Sequence, residues 1–75
     1  MSEKNLAALR KGESGRVRAL SGAAGQCRRL RDLGLVEGVE VRCLHVSPFG
    51  SPVAYDVWGA VIALRAEDAQ TVLIG

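Results

Sequence analysis

From Arg16 onward the chain is a succession of short apolar stretches, each cut off within a few residues by glycine or proline. Glycine supplies turn conformations that other residues avoid, and proline interrupts a ladder of backbone hydrogen bonds. Such punctuation leaves room for short strands and tight corners, not for long helices. In "RVRALSG" (16–22), Arg16 and Arg18 alternate with Val17 and Ala19, as in a half-buried strand. "VEVRCLHV" (39–46) predicts a second strand with Val39, Val41, Cys43 and His45 on one face. From Leu44 both faces become apolar, which happens where a strand bends or is covered on both sides. "SPFGSP" (47–52) reads as a hairpin tip, "VAYDVW" as the returning strand, "AVIALR" as another after Gly59, and "TVLI" as the last. "AEDA" (66–69) makes a brief helical turn before that last strand. About five short strands at this spacing curl into a small barrel and do not lie flat.

One segment breaks the strand pattern. "AAGQCRRLRDL" (23–33) has the 3.6-residue period of a helix of about three turns, inserted after the first strand. Ser21 and Gly22 are placed to cap it. Ala23, Cys27, Leu30 and Leu33 share the arc expected to face the core, and Arg28 and Asp32 form a pair on the solvated side. The "LGL" at 33–35 predicts how the helix stops. Gly34 takes the left-handed position, and Leu30 and Leu35 fall where side chains clasp in a Schellman motif. Upstream, residues 1–5 read as loose, and Leu6 and Leu9 lie one helical turn apart before Gly12 and Gly15 lead into the first strand. The expected core is Val17, Leu20, Leu30, Val39, Val41, Val57, Ile62, Leu64 and Val72.

With 75 residues, 48% of them hydrophobic, the chain makes one domain, 1–75, near the lower size limit for unaided folding. A chain this size buries roughly 60% of its unfolded surface, so few apolar positions can be spared from the core. Cys27 and Cys43 are too few for a disulfide framework, and with no signal peptide they point to a reducing, cytoplasmic setting. No apolar run approaches the ~20 residues of a membrane span, so direct membrane insertion is not expected.

The chemistry-bearing residues are sparse. One histidine and scattered serines make no nucleophile–base pair, and "GESGRV" lacks the lysine–serine of a phosphate loop, so no catalytic residue is assigned. Cys43, His45 and Cys27 are fewer than a metal site's four ligands and include no CxxC, so no metal or cofactor is expected. The net charge is +2, but Arg16, Arg18, Arg28 and Arg42 offer a route to phosphate contacts. Among the aromatics, Phe49 at a loop tip is a contact candidate, and Trp58 before Gly59 reads as barrel packing. Arg29, at the edge of the apolar arc, is the arginine expected to carry the most structural weight, its stem covering core leucines. A short helix cannot bury everything it carries, which leaves Leu33, Leu35 and Val36 as candidates for an exposed docking corner.

The order "RRLRDLGLVEGVEV", then "SPFGSPVAYDV", then "VIALRAEDAQTVLI" resembles the ferrous-iron-transport protein A (FeoA) family over residues 6 to 74. The resemblance implies an SH3-like small barrel, mainly β, with an inserted helix. It implies a non-enzymatic cytoplasmic accessory that docks on a membrane ferrous-iron transporter with a GTP-binding cytosolic domain and supports or regulates it. The expected contact residues are Arg29, Leu33, Leu35, Val36 and Phe49. The alternative reading is a small-barrel module that binds nucleic acid or proline-rich peptide. An open strand edge in so small a barrel also offers a route to weak pairing with a second copy.

Overall fold

The computed structural model describes residues 4–75. Strands β1 (Lys4–Asn5), β2 (Ser14–Leu20), β3 (Glu40–Val46), β4 (Val53–Val57), β5 (Ala60–Leu64) and β6 (Val72–Ile74) form one antiparallel sheet in the order β1-β6-β2-β3-β4-β5. Helix α1 (Ala24–Asp32) enters between β2 and β3, and the four-residue α2 (Ala66–Ala69) between β5 and β6. The expected mainly-β barrel with one inserted helix is therefore observed, with one strand more than the sequence indicates. Lys4 and Asn5 are that strand, paired with Ile74 and Leu73. This corrects their reading as loose; residues 1–3 lie outside the described residues.

The sheet curls because β2 serves two partners. Ser14, Gly15 and Arg16 pair with β3, while Val17, Ala19 and Leu20 pair with β6, and the β2–β6 register shifts between Val17 and Ala19. A bulge of this kind bends a strand and turns its next residues toward a new neighbour. Gly15 permits the tight corner, since a Cβ there would sit 2.8 Å from Ile74 Cδ1. The second bend lies where the sequence places it. The β3–β4 register shifts between Cys43 and His45, across Leu44. At the base, a single 3-10 turn (Leu6–Ala8) is capped by Asn5, whose Oδ1 accepts the Ala7 N–H at 2.9 Å. The Leu6 carbonyl accepts the Tyr55 hydroxyl at 3.2 Å, tying this turn to β4.

Seven of the nine expected core residues are buried, and Leu20 and Ile62 are half-buried against the same cluster. The pattern also hid core members. Leu6, Leu35, Cys43, Tyr55 and Ala69 are fully buried. The helix start differs from expectation as well. Ala23 is the N-cap, with no side-chain cap bond, while the Ser21 hydroxyl donates to the Thr71 carbonyl at 3.1 Å. Ser21 thus links the end of β2 to β6 and does not cap α1.

Candidate docking surface

The helix stop is built as its residues dictate. Gly34 has φ +101°, a backbone value L side chains rarely adopt. The Leu35 N–H donates to the Leu30 carbonyl at 3.1 Å, and the Gly34 N–H to the Arg31 carbonyl at 2.9 Å. These are the two bonds of a Schellman motif. Leu30 and Leu35 both disappear into the core cluster. The chain is then pinned again, with the Gly38 N–H donating to the Val17 carbonyl and the Val17 N–H to the Val39 carbonyl.

This geometry sorts the docking candidates. Leu35 is fully buried, which corrects its assignment to a surface, because the clasp that ends the helix turns the C″ side chain inward. Leu33 shows the reverse. Expected on the core arc, it is the C-cap residue and is 41% exposed, because the helix is already ending there. Val36 is 44% exposed. Beside it lies a concavity of about 280 Å³ between the helix end and β2, bounded by Leu20, Arg31, Val36 and Glu37 among others. Phe49 is 96% exposed at the tip of the β3–β4 hairpin, where the Gly50 N–H donates to the Ser47 carbonyl and the Ser47 hydroxyl to the Pro52 carbonyl.

Arg29 is structurally engaged, by a means the sequence does not reveal. Its Nη2 lies 2.8 Å from Asp68 Oδ1, and the same oxygen accepts Gln26 Nε2 at 2.8 Å. Two side chains of α1 are thereby fastened to α2. Asp68 is largely buried while Arg29 is mostly exposed, so the pair is partly screened. A double-mutant cycle on Arg29→Ala and Asp68→Ala, followed by urea unfolding, is expected to give a coupling of about 0.5–1 kcal/mol. The expected Arg28–Asp32 pair is not among the ion pairs of the described residues.

The remaining candidates are dispersed. The bulge at Leu44 leaves Cys43 buried and His45 exposed, so the two do not share the face that simple alternation predicts. Cys27 Sγ, on the buried side of α1, donates to the Gly22 carbonyl at 3.3 Å. Among the described residues, no three His, Cys, Asp or Glu side chains gather as a ligand set. Burial pushes the Cys43 thiol up, the Glu13 charge adds to the rise, and a backbone hydrogen bond at His45 opposes it. Burial likewise pushes the Tyr55 hydroxyl up to about 12, with Cys43 contributing in the same direction. Tyr55 therefore serves the core and lines no peptide groove. Trp58, expected to pack inside the barrel, is instead 84% exposed. Arg16 and Arg42 stand on the outer sheet face, but Glu40 and Asp56 face them across the strands, so the arginines do not form an unbroken basic stripe. No helix is long and apolar enough to cross a membrane among the described residues.

The comparisons agree with this architecture. The FeoA domain model matches residues 4–74. The zinc-complexed FeoA of Stenotrophomonas maltophilia, described as a procaryotic SH3 domain protein, is 33% identical with a TM-score of 0.85, covering 96% of this chain and 89% of that one. FeoA from Chlorobium tepidum is 28% identical with a TM-score of 0.88, covering 95% of this chain and 68% of that one. A manganese-dependent transcriptional repressor, 22% identical, shares the fold with a TM-score of 0.85 over 95% of this chain and 40% of its own length. No curated protein sequence matches the chain. With the family model spanning nearly all described residues of an SH3-like barrel, the chain belongs to the FeoA domain family.

Proposed function

We propose that this chain is a cytoplasmic accessory of a membrane ferrous-iron transporter, acting by binding and not by catalysis. The observation that carries the reading is the exposed pair Leu33 and Val36 at the rigid stop of α1, on a chain of the FeoA family. The S. maltophilia relative is itself described as a candidate ferrous iron transport activating factor. Exposing two large apolar side chains is costly for a domain with so small a core, and a partner surface gives them a use. The Schellman bonds hold both in place, so little ordering entropy is lost when they are covered. The partner surface is the transporter's GTP-binding cytosolic domain, with Arg31 and Glu37 at the polar rim and Phe49 a second contact.

Calorimetric titration of the chain into the purified cytosolic portion of the transporter, at physiological salt, tests the proposal. Saturable binding is expected, and Leu33→Glu combined with Val36→Glu is expected to weaken it at least about tenfold, the loss of one buried apolar anchor. The double variant should still fold, because both positions are exposed. A folded double variant that binds as tightly as the parent would remove this corner from the interface.

A further inference from the structure

The two outer edges of the sheet are unlike. β1 is two residues long and carries Lys4, and short, charged edges resist further pairing. β5 is a full strand, Ala60–Leu64, with no charge and no proline. It is hydrogen-bonded to β4 on one side only. Val61 and Ala63 are exposed, while Ile62 and Leu64 turn toward the core.

The turn before β5 fixes which of its backbone groups face outward. Trp58 and Gly59 have φ of +56° and +83°, the signature of a two-residue type I′ hairpin turn. Such a turn closes on a hydrogen-bonded pair, here Val57 and Ala60, and bonded pairs alternate along an antiparallel ladder. Ala60, Ile62 and Leu64 therefore bond to β4. The N–H and C=O groups of Val61 and Ala63 point away from it, and among the described residues no backbone bond outside the ladder engages them. On either side of these four groups the edge is already occupied. The Gly59 N–H donates to Asp56 Oδ1 at 2.8 Å. The Arg65 carbonyl accepts the N–H groups of Asp68 and Ala69, each at 3.0 Å.

We propose that β5 is the pairing edge for a second copy of this chain, joined antiparallel about a two-fold axis at Ile62. This register uses all four open groups, because Val61 of each copy exchanges both bonds with Ala63 of the other. An axis at Val61 or at Ala63 would set an open residue against Gly59 or Arg65, whose groups are engaged. The edge is also self-complementary, which favours a copy over an unrelated strand. Its middle is uncharged, so no like charges meet across the axis. Its ends carry opposite signs, Asp56 beside the turn and Arg65 just past Leu64. The two-fold brings these unlike ends together twice. Arg65 of one copy falls across from Gly59 of the other, beside the carboxylate that holds that N–H. The contact Arg65 makes within its own chain, to Glu67 at 3.8 Å, is loose and mostly exposed. Pairing covers Val61, which is 68% exposed, and the open side of Ile62. A five-residue strand pair buries less than a standard interface, so the dimer is a weak one. It uses none of the exposed residues of the α1 corner and does not depend on the transporter reading.

The test uses the full chain alone, by sedimentation equilibrium and by nuclear magnetic resonance at rising concentration. A monomer–dimer equilibrium is expected, with a dissociation constant on the order of 0.1–1 mM. Over the same range the Val61 and Ala63 amides should gain protection from hydrogen exchange, while that of Ile62, already bonded to β4, should not. In a mixture of carbon-13-labelled and unlabelled chains, an isotope-filtered cross-peak should join the Ile62 Hα protons of the two copies, the closest approach in a non-bonded antiparallel pair. Val61→Lys should weaken association about tenfold or more, because it sets a lysine beside Arg65 of the second copy; the variant should fold, since lysine suits an exposed edge. Leu33→Glu combined with Val36→Glu should leave association unchanged. A chain that stays monomeric up to about 1 mM, well above the affinity expected, would overturn the proposal. So would a dimer without the Ile62 cross-peak, one that Val61→Lys leaves as tight, or one that the α1-corner variant abolishes.

Discussion

Replacing Leu35 with alanine is expected to lower stability by about 2–5 kcal/mol, the usual cost of deleting a fully buried leucine side chain. A domain of this size has only about 4–11 kcal/mol in total, at roughly 0.05–0.15 kcal/mol per residue. For chains this short each 1 kcal/mol moves the midpoint by about 4–8 °C, so thermal melts followed by circular dichroism should shift by at least about 8 °C. Two losses combine at this one position. The core loses a member, and the Schellman clasp loses the apolar contact that accompanies the Leu35–Leu30 backbone bond. Leu35→Glu should leave no folded population, since it also places an unpaired charge in the core. One residue on, Val36→Glu should change stability by no more than about 0.5 kcal/mol, as is usual for an exposed position. A melt of Leu35→Ala within a few degrees of the parent would contradict the burial. The contrast also guards the docking experiment, because lost binding in a Leu35 variant would report unfolding and not contact.

Stability should also fall steeply in alkali, with Tyr55 as the cause. Its hydroxyl titrates near 12 in the folded chain against an ordinary value of about 10. Below pH 10 both states keep the proton and stability is at its full value. Between pH 10 and 12 the unfolded chain ionises first, so each increment of pH favours unfolding. Above 12 both states are ionised and the effect levels off. Two pH units at about 1.4 kcal/mol each bound the loss at about 3 kcal/mol. Urea unfolding at pH 9, 10, 11 and 12 reads it directly. Tyr55→Phe should flatten that segment of the curve, and at neutral pH it should cost about 1 kcal/mol for the hydrogen bond to the Leu6 carbonyl. The Cys43 thiol, also raised by burial, works in the same direction, so the flattening is sharpest with Cys43→Ala as the common background. A Tyr55→Phe curve as steep as that of its background would show that the hydroxyl is not the group involved.

The elements were legible where a local rule governs them. The bend at Leu44 shows as a loss of alternation, and the register shift occurs there. The stop at Gly34 shows as Leu-Gly-Leu, and both Schellman bonds form. Both signals depend on residues within one or two turns of each other. The docking corner was read less well for the same reason. Adjacent residues at a helix stop differ by large rotations: the helical period places Leu33 on the core arc, but as the C-cap residue it is 41% exposed, while Leu35, expected both to clasp Leu30 and to offer a docking surface, is fully buried. Gly59 marks the corner after β4, but the sequence does not show that Trp58 takes the other left-handed position of that turn, at φ +56°, which leaves its side chain 84% exposed.

What the sequence determined by itself is the alternation, the corners and the helix stop, because these follow from backbone sterics and from hydrogen bonds between near neighbours. What only the tertiary structure decided is which distant groups meet. Asp68 gathers Arg29 and Gln26 across 39 and 42 residues. Tyr55 finds the Leu6 carbonyl across 49 residues. Lys4 and Asn5 gain a strand only because β6 offers an edge. Each of these contacts is made by a side chain or edge whose local context is neutral, so its partner is set by how the barrel closes and not by anything within reach along the chain.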